Sequence, residues 1–357
     1  MKAFTLAGLL AIAIGATGCS TSNHFVYVVG TGTNSVFAFQ QTPAGKLVEV
    51  TAPAATTDSL PVSIVIHPSG KFIYVANSAG NNVTLLATSG KGTLAVPKDP
   101  ITNNALGPFT AGTGPVALAV APGGQFLYVL NGGSSNISVF TIDTSTGNLS
   151  ALKTSPFGTP ASPVSIAIAG NGKFLYVANP ALGTVSGFTI GSDGSLAAIT
   201  GSPFTTGGAP SWVVIDSSSK FLYVADTTGN QILGFSVDAN SGAPTPITGS
   251  PFATGSQPVS LAIDSNSGVL VAANRGSNNI SVYAVNSSGA LSQVSGSPFA
   301  TGTAPVFVGV DATNRFVYVG DSGSNDIAAF SIVNGNVATV SGSPFNLGTS
   351  PVWITSQ

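Results

Sequence analysis

Hydrophobic and polar residues alternate along this chain in short bursts with a period of two. In residues 164–168, Val164, Ile166 and Ile168 alternate with Ser165 and Ala167. That pattern sets large side chains on one face of a strand and small ones on the other. Gly170-Asn171-Gly172 follows as a turn signal. Residues 174–178 read as a second strand, rich in aromatic and branched residues. After Asn179-Pro180, residues 184–190 form a third, and Gly191-Ser192-Asp193-Gly194 turns into a short fourth over 196–199. No segment sustains the helical period.

This four-strand pattern repeats. Tyr27, Tyr74, Tyr128, Tyr176, Tyr223 and Tyr318 mark its second strand, with Val271 in the remaining unit; the spacings are 47, 54, 48, 47, 48 and 47. A proline opens each first strand, at Pro61, Pro115, Pro163, Pro210, Pro258, Pro305 and Pro351. Ser-Pro-Phe recurs at Ser155, Ser202, Ser250, Ser297 and Ser343, with Gly107-Pro108-Phe109 as a variant. Three markers in phase at a period near 48 predict an all-β fold, a seven-bladed β-propeller of four-stranded blades. The small inner-strand residues suit the taper of packing toward an axis. The chain starts at a second strand, around Phe25, and stops after a first strand, residues 352–355. Pairing of the two ends completes the seventh blade and leaves no open sheet edge. The spacing of 54 marks an insertion around Lys98-Asp99-Pro100-Ile101-Thr102-Asn103-Asn104, a place where function can be grafted.

Residues 1–18 are read differently. Lys2 precedes an apolar run to Ile14, and Gly15-Ala16-Thr17-Gly18 leads to the only cysteine, Cys19. The run suits a secretory signal and is short for a membrane-spanning helix. Ala16-Thr17-Gly18-Cys19 resembles a bacterial lipoprotein lipobox, which implies cleavage before Cys19 and a lipid on it. Residues 19–23 then form the anchor and tether, and 24–357 the propeller. The expected location is the cell envelope. Ser20 after the cysteine favours the outer membrane over the inner on the same resemblance.

Composition narrows the partners. Charged residues are 6% of the chain, with 10 Lys+Arg and a net charge of −2. That excludes nucleic-acid binding by phosphate neutralisation and a polybasic membrane surface. One cysteine excludes a disulfide framework and a multi-thiolate metal site. An outer-membrane barrel would show strands of about ten residues with aromatic girdles, unlike these short repeated units.

Tyr74-Val75-Ala76-Asn77, Tyr176-Val177-Ala178-Asn179 and Tyr223-Val224-Ala225-Asp226, with looser copies at Tyr128 and Tyr318, resemble the repeats of the seven-bladed lactonase-like propellers, the YVTN-repeat proteins. His67-Pro68-Ser69-Gly70-Lys71-Phe72 resembles that family's turn before the strand. The resemblance spans the propeller. It implies either hydrolysis of 6-phosphogluconolactone or another lactone, or a surface or scaffold role with no reaction.

The catalytic inventory is thin. His24 precedes the first strand, and His67 stands at a turn station held elsewhere by Ala121, Ala169, Asp216, Asp264 and Asp311. Glu49 is the only glutamate and falls in an outermost strand. No histidine–aspartate–serine arrangement can be read, and no catalytic residue is assigned. The equivalent aspartates belong to different blades, so neither a metal site nor a cofactor is expected. Arg315 takes the slot of Lys71, Lys173 and Lys220, whereas Arg275 is the one cation just past the second strand. The ligand-binding candidates are therefore Arg275 and the ring Asn77, Asn131, Asn179, Asp226, Asn274 and Asp321, with Gly30 at the seventh station. The ring is either a polar rim near the central opening or a set of turn caps. The expectation is a monomeric, membrane-anchored, non-catalytic binding or scaffold module for an envelope protein or small polar ligand. The alternative is a lactone hydrolase.

Overall fold

Second strands such as Phe72–Asn77 and Phe174–Asn179 are buried at every position, on both faces. A strand pressed between two neighbouring sheets needs apolar side chains on both sides, so its sequence does not alternate. The computed structural model describes residues 24–264, 268–333 and 335–356. These form seven antiparallel sheets whose innermost strands follow one another in a closed ring around an axis. The fold is a seven-bladed β-propeller, as the repeats predict. Residues 1–18, Cys19 and the tether through residue 23 lie outside the described residues.

Blades are numbered here by their innermost strands: Pro61–Ile66 (blade 1), Pro115–Val120, Ser165–Ile168, Pro210–Ile215, Pro258–Asp264, Pro305–Val310 and Pro351–Ser356 (blade 7). Each innermost strand runs away from a crossover face, where crossovers arrive and second and third strands turn, toward an opposite face. Ser-Pro-Phe does more than cross between blades. Its phenylalanine opens a two-residue fifth strand on the third strand, as Phe157 does opposite Ile137. Its serine hydroxyl accepts a third-strand N–H: Val139 donates to Ser155 at 2.9 Å, Gly187 to Ser202 at 2.9 Å and Gly234 to Ser250 at 3.0 Å.

The marker tyrosines join the blades. Tyr74, Tyr128, Tyr176, Tyr223 and Tyr318 donate their hydroxyls to the carbonyls of Gly147, Gly194, Gly242, Gly289 and Gly45, each in the outer turn of the next blade. Burial pushes the pKa of all five above the ordinary phenol value. Gly242 shows why glycine holds the receiving turn. Its φ is +74°, and an added Cβ would come within 2.5 Å of the Phe174 ring.

Blade 7 closes the ring. Residues 26–29 pair with 353–356, Val28 opposite Ile354 and Val29 opposite Trp353. Gln41 of the same blade donates from Nε2 to Asp311 of blade 6 at 2.9 Å.

Candidate functional site

The innermost strands pair on one side only, so their other edge faces the axis. His67 N–H donates to Phe72, which makes that a hydrogen-bonded pair. By alternation Ile64, opposite Val75, is in a non-hydrogen-bonded pair and turns its N–H away from the second strand. The equivalents of Ile64 are Leu118, Ile166, Val213, Leu261, Val308 and Ile354, and all seven line an axial cavity of about 390 Å³. In three blade joints a serine of the preceding blade accepts the axial N–H. Leu118 donates to Ser63, Val213 to Ser165 and Val308 to Ser260, each at 3.2 Å.

At the other four joints the serine station holds Ala117, Trp212, Phe307 or Trp353. None of these offers a hydroxyl to the N–H groups of Ile166, Leu261, Ile354 and Ile64. The three aromatic rings meet at the axis: Trp212 lies 4.8 Å from Trp353, and Phe307 stacks on Trp353 at 4.9 Å and 27°. They line the end of the cavity nearer the crossover face. Thr355 and Ser356 supply hydroxyls at the opposite end. Among the described residues, none that lines the cavity carries an ionisable side chain. Its chemistry is therefore that of backbone N–H and carbonyl groups, two hydroxyls and aromatic or aliphatic faces. Sequence reasoning missed the aromatic trio. The available signal was that both tryptophans of the chain, Trp212 and Trp353, stand at one repeat station.

The polar ring lies elsewhere. Asn77, Asn131, Asn179, Asp226, Asn274 and Asp321 are all buried, and none lines the axial cavity. Each stands opposite the first residue of its own third strand. Asn77 donates from Nδ2 to Asn82 at 2.8 Å and Thr84 at 2.9 Å. Asn131 does the same to Asn136 and Ser138, and Asn274 to Asn279 and Ser281. Asn179 reaches Ser186 at 3.0 Å. These contacts tie down each hairpin from beneath. Asp226 reverses the polarity by accepting from Gln231 at 2.9 Å and the Ala209 N–H at 2.9 Å. Burial raises its pKa, but the N–H groups of Ala209 and Gly229, the Gln231 amide and Thr228 together hold the carboxyl below its usual value.

Arg275 is exposed on the crossover face, and its N–H donates to Gln257. Arg315 lies over the Phe316 ring. His67 is buried at its turn, where Nδ1 accepts the Ser69 N–H and Nε2 lies 2.9 Å from the Gly124 carbonyl. The first contact leaves the proton on Nε2, so the ring bridges blades 1 and 2. Glu49 ends the outermost strand of blade 7. The insertion folds into a turn in which Asp99 accepts the Ile101 and Thr102 N–H groups. Among the described residues no group of three metal-ligating side chains forms.

The sequence profile of the family described as lactonase, 7-bladed β-propeller, matches residues 16–214 and 195–309. No curated protein sequence matches. A protein of Bacteroides uniformis, provisionally described as a 6-phosphogluconolactonase, is similar in structure with a TM-score of 0.79 and 17% identity, covering 94% of this chain and 100% of its own. A Bacteroides fragilis protein with the same provisional description gives 0.77 and 19%, covering 95% and 99%. The periplasmic gluconolactonase of Pseudomonas aeruginosa gives 0.73 and 19%, covering 93% and 99%.

Proposed function

This chain belongs to the lactonase family of seven-bladed β-propellers, and from that membership we propose that it hydrolyses a lactone, one that carries no charge. The family match is the observation that carries the lactone. The axial cavity favours an uncharged one, because phosphate recognition draws on convergent cations and none lines that cavity. The periplasmic gluconolactonase is a structural relative whose named substrate lacks a phosphate. The non-catalytic scaffold expected from the sequence has no support in these comparisons, which favour the lactonase alternative.

In this reading water adds to the lactone carbonyl, negative charge gathers on the carbonyl oxygen, and the ring C–O bond breaks. One proton of the water ends on the released hydroxyl, and the other is lost to solvent as the new carboxyl ionises. Axial N–H groups such as those of Ile64 and Ile354 suit the developing oxyanion, since fixed backbone donors need no reorganisation. The hydroxy acid that forms is anionic, and a cavity without cations releases it readily. The test is a panel of uncharged lactones, gluconolactone and 6-phosphogluconolactone, with the purified protein scored against spontaneous hydrolysis. Turnover of an uncharged lactone, at least about tenfold above the phosphorylated one and impaired by Trp353→Ala, is expected; it corresponds to about 1.4 kcal/mol of discrimination. No turnover on any member sinks the reading.

We propose further that the protein is anchored through a lipid on Cys19. The support is the Ala16-Thr17-Gly18-Cys19 segment. His24 opens its strand on the opposite face, so a tether would leave the propeller there. Membrane fractionation checks this: Cys19→Ser should move the protein to the soluble fraction. Unchanged partition removes the anchor.

A further inference from the structure

One hairpin on the crossover face breaks the rule that five others follow; blade 7 has glycine at the station, Gly30 opposite Ser35. Where second and third strands turn, the facing pairs are Asn77/Asn82, Asn131/Asn136, Asn274/Asn279, Asn179/Thr184 and Asp226/Gln231. Each has a side-chain donor on one side and an acceptor on the other. In blade 6 the pair is Asp321 opposite Asp326, an acid against an acid. The hydroxyl that receives the amide's second N–H in four blades, as Ser138 does, is Ala328 here.

Asp321 is fully buried, and its Oδ2 accepts the Gly302 N–H at 3.0 Å. Its Oδ1 and Asp326 Oδ1 are both buried and neither has a partner. In the sister blades the atom at the Oδ1 place is the amide Nδ2, 2.8 Å from its acceptor. Asp326 lies within hydrogen-bond reach of the Asp321 carboxyl; two ionised carboxylates in such reach repel, and with one proton they make a strong hydrogen bond.

We propose that Asp321 and Asp326 share one proton, and that this proton latches the blade 6 hairpin so that the hairpin loosens as pH rises. The groups facing Asp321 are Asp326 from the third strand, and the Gly302 N–H and Thr301 hydroxyl from the crossover. No cation is among them. Burial chiefly, with the charge of Asp326 behind it, raises the Asp321 pKa to about 7. The folded state therefore binds more protons than the unfolded chain between about pH 4 and 7, and stability falls as pH rises through that window. A metal ion is the weaker occupant, since among the described residues no third ligating side chain joins the pair. The hairpin also touches the crossover to the closing blade: the Ser350 hydroxyl donates to the Ser322 carbonyl.

The experiment compares the full chain with Asp321→Asn and Asp326→Asn from pH 4.5 to 9. It reads denaturant unfolding and hydrogen exchange in the 322–325 hairpin. Asp321→Asn puts at this station the amide that four sister hairpins carry, with Asp326 as its acceptor, and should fold. The wild-type unfolding constant should rise by up to about tenfold per pH unit across the window and then level. Both variants should lack that rise, and exchange at 322–325 should become independent of it. Parallel curves for wild type and Asp321→Asn overturn the proposal. So does a calcium-induced stabilisation at pH 8 that Asp321→Asn abolishes, which would put a cation in place of the proton.

Discussion

At the scale of single residues, one side chain can serve as a repeat marker and as a fastening. Tyr176 is legible in the sequence as the centre of Tyr-Val-Ala-Asn, but its partner 66 residues away is not. Its hydroxyl donates to Gly242 at 2.6 Å, and both groups are buried between blades 3 and 4. Tyr176→Phe keeps the ring and deletes the donor, leaving a buried carbonyl unsatisfied. A loss of about 1–3 kcal/mol is expected, read as a lower denaturant midpoint with unchanged slope. A midpoint equal to that of the parent would show that the clasp contributes nothing. The same limit applies to the polar ring. The sequence places Asn77 and Asp321 at one station, yet only the structure shows that the station faces its own third strand and not the axis. The pKa of an aspartate there is held low in blade 4, where the Ala209 and Gly229 N–H groups and Gln231 donate to it, and is raised in blade 6, where burial acts first and Asp326 adds to it.

Strands were legible wherever their periodicity had one cause. The inner strands alternate because their two faces pack on the two neighbouring blades: Ile166 and Ile168 meet blade 2 and Ala167 meets blade 4, whereas Val164, expected on the face of Ile166, precedes the strand and packs with Ala167. The second strands do not alternate, and their identity rests on β-branched and aromatic content between turn signals. The two-residue fifth strands were not legible. Two residues carry no period, and what defines Phe157–Gly158 as a strand is its pairing with the third strand. The axial cavity was hidden for a related reason. Its polar surface is backbone, supplied by strand edges whatever the side chains are, so residue types cannot announce it. What the side chains do decide is which edges are capped. Ser63, Ser165 and Ser260 cover three of the seven axial N–H groups, and the bulky trio replaces serine at three other joints.

For the whole molecule, the decisive contact is the one that joins the two ends of the chain. The sequence predicted it from a missing first strand at one end and a surplus one at the other. The structure shows residues 353–356 paired with 26–29, and Trp353 packed against three of the hydrophobic clusters that separate blades. A propeller has no core of its own beyond these inter-blade layers, so stability depends on every joint being present. Deleting residues 351–357 exposes the edge of the strand His24–Gly30 and removes one wall of the axial cavity. It also takes away Ile354, buried in the layer between blades 6 and 7. The side contacts Gln41 to Asp311 and Tyr318 to Gly45 still hold blade 7 to blade 6, but nothing then fills the inner edge facing blade 1. The truncated chain is expected to aggregate or to melt about 5–10 °C below the parent, since losing a buried strand removes several kcal/mol at about 1–2 °C per kcal/mol for a chain of this size. Size-exclusion chromatography with a thermal melt decides it. A monomeric truncated protein that melts with the parent would mean that the ring holds without its closing strand.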